Sequence, residues 1–281
     1  MADPSWQDPQ AALARIRETI DALDRQILAL VSERAACAQQ VAQVKAALGE
    51  TEQYYRPERE AQVLRRVIER NPGPVSDTDM ARLFREIMSI CLALESPLSV
   101  AFPELPGGAG LGALRKQFGA GVEARVMADV AAVFQAVERG ECHYGMVPVS
   151  APSDEGVAHG LDLFVESSLL ICGEVRLDSQ RSRFLVVGRV AVRPSGRDLT
   201  SVLLSIANRP GSLHELLAIP ARHAVNIQHI ESRPGPGDAH EVFFIDLQGH
   251  REDPPVGRTL DELATTATFL KILGSYPLSL L

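Results

Sequence analysis

Apolar residues recur at alternating spacings of three and four through Leu13, Ile16, Ile20, Leu23, Ile27, Leu30, Cys37, Val41 and Val44. That period is the seam of a long helix packed against other helices. From about Pro9 to Leu48 it predicts one helix of about 40 residues, roughly 60 Å long, which is too long for a compact single-layer fold and needs partner helices. One seam position is not apolar: Arg34. A guanidinium cannot shed its charge to enter a core, so it is tolerable there only if an anion or carboxylate waits for it. A polar residue that sets helix register, or an arginine snorkelling from the seam edge, accounts for it equally well.

A chain of 281 residues predicts two or three domains. Its 46% hydrophobic and 23% charged residues describe a globular protein, and a net charge of −8 without any Lys/Arg run argues against nucleic acid as a partner. Cys37, Cys91, Cys142 and Cys172 form no CxxC pair, and the histidines have no metal-ligand spacing, so neither a disulfide framework nor a metal is expected. The beginning, MADPSWQDPQ, is polar, and no apolar run approaches the roughly 20 residues of a membrane span. The expectation is a cytoplasmic protein that needs no cofactor and no membrane.

Pro57 suits the first turn of a second helix carrying Val63, Leu64, Val67 and Ile68, ended by Asn71 and Pro72. Ser76 with Asp79 caps a third, whose Met80, Leu83, Phe84, Ile87, Cys91 and Leu94 form an apolar stripe. The first 96 residues are therefore all helix. After Pro97 short apolar runs alternate with helical segments, as in an α/β unit reaching about Arg189. From Leu199 onward the order is βαββαβ, the ferredoxin-like arrangement, with helices expected over 213–223 and 259–267 and a final strand over 268–273.

Within the helical unit Arg34 and Lys45 lie 11 residues apart, about 20° of rotation and roughly 16 Å of rise, so two long cations bracket room for one small anion. Arg17 is about 25 Å from Arg34 on the same helix and joins such a site only from a second subunit. Glu95 follows Cys91 by four residues and Met88 by seven. It projects from the apolar stripe, where a carboxyl tends to stay protonated and donate a hydrogen bond, or it lies wet at a frayed helix end beside Pro97.

The strings IRETIDALDRQILALVSERAACAQQVAQVK, YYRPEREAQVLRRV and MARLFREIMSICLALE closely resemble the all-helical chorismate mutase domain of bifunctional chorismate mutase/prephenate dehydratases. The resemblance implies that Arg17 of a partner chain and Arg34 hold the two carboxylates of chorismate. It implies too that Lys45 touches a carboxylate and the ether oxygen, that Glu60 holds the ring hydroxyl, and that Glu95 donates to the ether oxygen. Arg59 matches a motif arginine near the site. Cys91 stands where some relatives have serine, and Arg56 where some have aspartate. Rearrangement of a dianionic enol ether needs no nucleophile or metal, only a clamp on the reactive conformer and donors where the breaking C–O bond makes oxygen negative.

Segments around VFQAVERGECHYGMVPV, LLICGEVRL and SRFLVVG resemble the two-lobed dehydratase domain of the same family. Its threonine-arginine-phenylalanine motif is matched by Ser182, Arg183 and Phe184, and serine preserves the hydroxyl that would protonate the leaving group. The family's first glycine-rich loop is replaced by PELPGGAGLG, and its Glu-Asn-Ser segment by Ser150, Ala151 and Pro152. The chain also runs from Val175 through Asp178 straight to Ser182, where relatives insert most of a second lobe. A cleft with one wall absent neither excludes water nor grips a dianion. The unit is thus expected to be a spacer lacking the decarboxylative elimination, with Ser182 and Arg183 a strand-edge remnant.

NRPGSLHELL, NIQHIESRP and EVFFIDLQGH resemble the ACT domain that binds phenylalanine in these bifunctional enzymes. Gly211, Ser212, Leu213 and His214, with Glu231, Ser232, Arg233 and Pro234, match its two ligand signatures. Gly211 opens a helix whose free N–H groups attract a carboxylate, or it merely turns the chain. The resemblance implies a ligand between subunits. Apart from His214, most histidines are expected to be surface residues.

The expected architecture is a chorismate mutase helical domain over 1–96, a truncated α/β dehydratase-like domain over 97–190 and an α+β ferredoxin-like ACT domain over 191–281. The expected protein is a homodimeric chorismate mutase of phenylalanine biosynthesis with phenylalanine as effector. Two alternatives stay open: a non-catalytic phenylalanine-sensing dimer, and a mutase acting on an amino analogue of chorismate.

Overall fold

The computed structural model describes residues 8–49, 55–150, 160–177, 182–207, 209–233 and 241–279. Helix α1 spans Pro9–Ala47, started by the Asp8 carboxylate, which accepts from the N–H groups of Gln10 and Ala11. Helix α2 runs Pro57–Glu69 with proline in its first turn, where the missing N–H costs nothing. Helix α3 is Asp77–Glu95, and Ser76 Oγ accepts from Asp79 N–H at 3.1 Å as the sequence predicts.

Within the single chain the expected seam is left uncovered. No residue of α1 is buried, and Leu13, Ile16, Ile20, Leu23, Ile27, Leu30, Val41 and Val44 are all exposed. What α1 turns toward α3 is a face of small side chains, Ala35, Ala38 and Ala42, together with Val31, Arg34 and Lys45, all half-buried. The stripe of α3 departs likewise: Leu83 and Leu94 are exposed, and the buried residues are Ala81, Arg85, Ser89 and Cys91. The cause is close approach by the middle unit. A Cβ on Gly121 would collide with the Ser89 carbonyl, and Gly121 N–H donates to Ser89 Oγ at 2.9 Å.

The middle unit comprises β1 (Ser99–Pro103), α4 (Ala109–Phe118), β2 (Glu123–Met127), α5 (Val130–Glu138), β3 (Tyr144–Ser150), α6 (Gly160–Glu166), β4 (Leu170–Leu177) and β5 (Ser182–Gly188). Its sheet has the order β2-β1-β3-β5-β4, with β1 parallel to β2 and β3, and β5 antiparallel to both neighbours. Leu177 lies directly opposite Ser182 in the β4–β5 ladder.

The C-terminal unit is β6 (Asp198–Ser205), α7 (Ser212–Arg222), β7 (Ile227–Arg233), β8 (Val242–Gln248), α8 (Pro254–Thr266) and β9 (Phe269–Pro277). This is the predicted βαββαβ order, in an antiparallel sheet β7-β8-β6-β9. Helix α8 begins five residues earlier than the pattern suggested, because Pro254 and Pro255 occupy a first turn that tolerates proline. Helices α7 and α8 cover one sheet face through Val202, Leu204, Leu216, Ile219 and Leu260. The other face joins the middle unit in one apolar core, in which Leu199, Leu203, Phe244 and Tyr276 pack with Val147, Phe164, Leu185 and Val187. β6 is accordingly buried on both faces from Asp198 to Leu204, its polar Thr200 and Ser201 included.

Candidate active site

Helices α1, α2 and α3 surround a cavity of about 790 Å³. Seven of the eight candidate residues of the helical unit line it: Arg34, Lys45, Arg56, Arg59, Glu60, Cys91 and Glu95. Arg34 and Lys45 reach it from one face of α1, as their spacing of 11 requires. Lys45 Nζ stands 3.3 Å from Glu95 Oε2, and both side chains are largely enclosed. Glu95 therefore faces a cation rather than the apolar surroundings expected for it. Arg56 and Arg59 flank the start of α2, while Cys91 is buried on α3. The eighth candidate, Arg17, lies exposed on α1 and does not line the cavity of its own chain.

Glu60 has a partner the sequence did not disclose. Arg85 Nε donates to Glu60 Oε1 at 3.1 Å, and the other end of the same guanidinium donates to the Lys116 carbonyl of α4 at 2.6 Å. Burial raises the Glu60 carboxyl above its usual range, and Arg85 pulls it part of the way back. Arg85 is itself buried. Its flanking Ala81 and Ser89, one turn to either side, were the available signal of a tightly packed face. At the floor, the Tyr55 ring packs on Phe118 of α4 with centroids 5.1 Å apart, and Gln117 Nε2 donates to the Tyr55 hydroxyl at 3.1 Å. Burial holds that hydroxyl well above the usual tyrosine range. The wall carries the cations Arg34, Lys45, Arg56, Arg59 and Arg193 against the carboxylates Glu58, Glu60 and Glu95. That excess of positive charge suits a small organic anion.

Ser182, Arg183 and Phe184 form no part of this cavity. The strand-edge expectation is corrected: β5 lies between β3 and β4, and all three residues are buried. Arg183 Nε donates to Glu174 Oε2 at 3.0 Å, and its Nη2 to Asp246 Oδ2 at 2.6 Å and to the Tyr276 hydroxyl at 3.3 Å. Asp246 also accepts from Ser201 Oγ. Burial opposes the charge on Arg183, but Tyr276, Asp246 and Glu174 outweigh it and hold the guanidinium firmly protonated. The motif arginine thus serves as a buried ionic junction between the middle and C-terminal units.

In the C-terminal unit Gly211 is the N-cap of α7 with φ of 87°, a left-handed conformation suited to glycine. Ser212 begins the helix, and Leu213 and His214 are exposed in its first turn. Glu231 and Arg233 share one face of β7 and pair with each other, Arg233 Nη2 donating to Glu231 Oε1 at 2.7 Å, while Ser232 points to the opposite face. Pro234 lies outside the described residues. Glu231 and Arg233 line a second cavity, of about 360 Å³, with Leu203, Phe244 and residues of α6, and none of residues 211–214 lines it. His250 is not a surface histidine as expected; it is buried, and its Nε2 lies 3.0 Å from the Val192 carbonyl. Among the described residues no group of three His, Cys, Asp or Glu side chains is arranged to hold a metal, and no helix is long and apolar enough to cross a membrane.

Residues 16–96 match the family model of chorismate mutase type II, residues 111–189 that of prephenate dehydratase, and residues 200–265 that of the ACT domain. The bifunctional chorismate mutase/prephenate dehydratase of Stutzerimonas stutzeri is 35% identical over 359 aligned residues, covering 96% of this chain and 98% of the relative. The protein of the same description from Pseudomonas aeruginosa is also 35% identical, covering 97% of this chain and 99% of its own length. An alignment longer than the 281 residues of this chain means that the relatives carry residues with no counterpart here. Among solved structures, GqqA, described as a novel type of quorum quenching acylase, has a TM-score of 0.59 at 29% identity, over 64% of this chain and 95% of its own. The prephenate dehydratase of Arthrobacter aurescens in complex with L-Phe has a TM-score of 0.57 over 64% of this chain and 90% of its own; at 20% identity that likeness is one of fold.

Proposed function

The chain belongs to the bifunctional chorismate mutase/prephenate dehydratase family, its helical unit is a chorismate mutase, and we propose how its three units divide the work. The cavity between α1, α2 and α3 rearranges chorismate to prephenate. Arg34 holds one carboxylate and Arg17 of a second copy the other. Lys45 and Glu95 act at the ether oxygen, Glu60 holds the ring hydroxyl, and Arg56, Arg59 and Cys91 complete the wall. The reaction is intramolecular, so the protein contributes by clamping the reactive conformer and placing donors where the breaking C–O bond leaves charge on oxygen. The observation that carries this reading is the convergence of seven candidate residues from three helices on one cavity. A coil that only dimerises has no use for such a set. Chorismate consumption should be saturable and should vanish in Arg34→Ala while the circular dichroism spectrum is unchanged. Persistent turnover in that variant means the wrong cavity has been chosen.

A second copy of the chain covers the exposed seam of α1. In support, ten large apolar residues from Leu13 to Leu48 on α1 and its C-cap are exposed in the single chain, and an exposed apolar surface of that extent marks an interface.

The middle unit does not dehydrate prephenate. Leu177 and Ser182 pair directly where a second lobe would have to enter, and Arg183 is occupied by two buried carboxylates. Incubation with prephenate should release no phenylpyruvate beyond the uncatalysed rate; enzyme-dependent product would refute this. The C-terminal unit binds phenylalanine through residues 211–214 and 231–234, supported by the ACT match and by the fold shared with the L-Phe complex. Adding phenylalanine should shift the chorismate saturation curve.

A further inference from the structure

One wall of the mutase cavity comes from outside the helical unit. Arg193 and Pro194, in the segment joining β5 to β6, line it beside Phe118. Arg193 is exposed, whereas Val192 and Ser195 on either side of it are buried.

Each unit of the chain holds this segment by a carbonyl. Cys172 Sγ of β4 lies 3.4 Å from the Val190 carbonyl. The Arg65 guanidinium of α2 donates to the Ser195 carbonyl. His250, in the turn between β8 and α8, meets the Val192 carbonyl at 3.0 Å. Glu252 N–H donates to His250 Nδ1 at 3.1 Å, which makes Nδ1 the acceptor and leaves Nε2 to carry the proton given to Val192. Beyond Ser195 the chain is pinned again, since Ser195 and Gly196 N–H both donate to Asp198 Oδ2. A long cationic side chain is thus presented to the cavity from a backbone with little freedom to move away.

We propose that Arg193 is a further substrate-binding residue of the mutase site, taking a carboxylate of the dianionic substrate at the cavity mouth, and that His250 is the positioning residue that keeps it there. The proposal rests on the mutase reading above. Arg193 adds a fifth cation to the four of the same chain that line the cavity, and it stands on a wall that none of α1, α2 and α3 supplies. It also gives the C-terminal unit a physical route to the mutase site. A shift of the turn carrying His250 moves the Val192 carbonyl, and Arg193 is the next residue.

The test is steady-state kinetics on the full chain with chorismate. Arg34→Ala is measured first, to establish the cavity as the site. Among Arg193→Lys, Arg193→Gln and Arg193→Glu, KM should rise in the order Lys, Gln, Glu. The rise should be roughly fivefold for Gln, with kcat within about twofold of wild type, as expected for a charge contact at an exposed rim. The dependence of kcat/KM on salt should be shallower in Arg193→Gln. His250→Leu should raise KM in the same direction, and adding it to Arg193→Gln should raise KM no further. Equal KM across the Arg193 series overturns the proposal, as does a rise that ignores charge, and additive effects of the two substitutions overturn the role of His250. Turnover that survives Arg34→Ala overturns the mutase reading itself, whereas a flat Arg193 series in an Arg34-dependent enzyme overturns only Arg193.

Discussion

Lys45 Nζ and Glu95 Oε2 stand 3.3 Å apart across the cavity although 50 residues separate them in the chain. The pair joins the last turn of α1 to the last turn of α3. Lys45 donates and Glu95 accepts, so the pair brings the ends of both helices together at one wall of the cavity.

Glu95→Gln keeps a polar side chain of the same length at that position and can offer an N–H, so turnover should stay within about tenfold of wild type. Glu95→Ala removes the polar group that holds Lys45 and should lower kcat by about 10²–10³, the usual cost of one lost or misplaced transition-state donor. Chorismate disappearance followed by absorbance reads both. An alanine variant as fast as wild type removes Glu95 from the mechanism.

If each site borrows Arg17 from the partner, two inactive variants should repair each other. Arg17→Ala and Arg34→Ala, unfolded together and refolded, should form mixed dimers in half of the cases, each with one intact and one doubly damaged site. Activity should return to about a quarter of wild type by the symmetry of a two-fold dimer. No recovery, with mixed dimers present by mass spectrometry, would rule out a shared site.

Glu60 makes a signed prediction about pH. Its carboxyl is raised above the usual 4.5, chiefly by burial, so above that pH the folded chain keeps a proton that the unfolded chain has released. Stability from this group therefore falls as pH rises from 4.5 through the folded value. Glu60→Gln cannot titrate. Urea midpoints should move in favour of the variant, relative to wild type, as pH climbs through that interval. A difference that does not change with pH would show that the carboxyl is not raised.

Arg183 compensates two buried carboxylates, Glu174 and Asp246. Arg183→Met leaves Asp246 without its cation and Glu174 with only the exposed Arg176, 3.7 Å away, and should cost about 3–5 kcal/mol of unfolding free energy. Denaturant unfolding measures it, and a loss below about 1 kcal/mol would mean that water or rearrangement satisfies the acids. The kcat of the folded fraction for chorismate should be unaffected, because Arg183 does not line the mutase cavity.

Local patterns made much of this protein legible. The cap at Ser76, the proline opening α2 and the βαββαβ order all follow from preferences that act over a few residues. The common direction of Arg34 and Lys45 follows from helix geometry alone. The sequence by itself thus determined the elements, their order and the residue types that can bind a dianion. Only the tertiary structure decided which helix faces are covered, that Arg85 engages Glu60, that Arg183 joins two units instead of facing a cleft, and that Arg193 enters the mutase wall. The physical reason is range: periodicity and capping depend on neighbours along the chain, whereas a buried charge depends on partners brought from distant segments by packing, and no local pattern encodes which partner arrives.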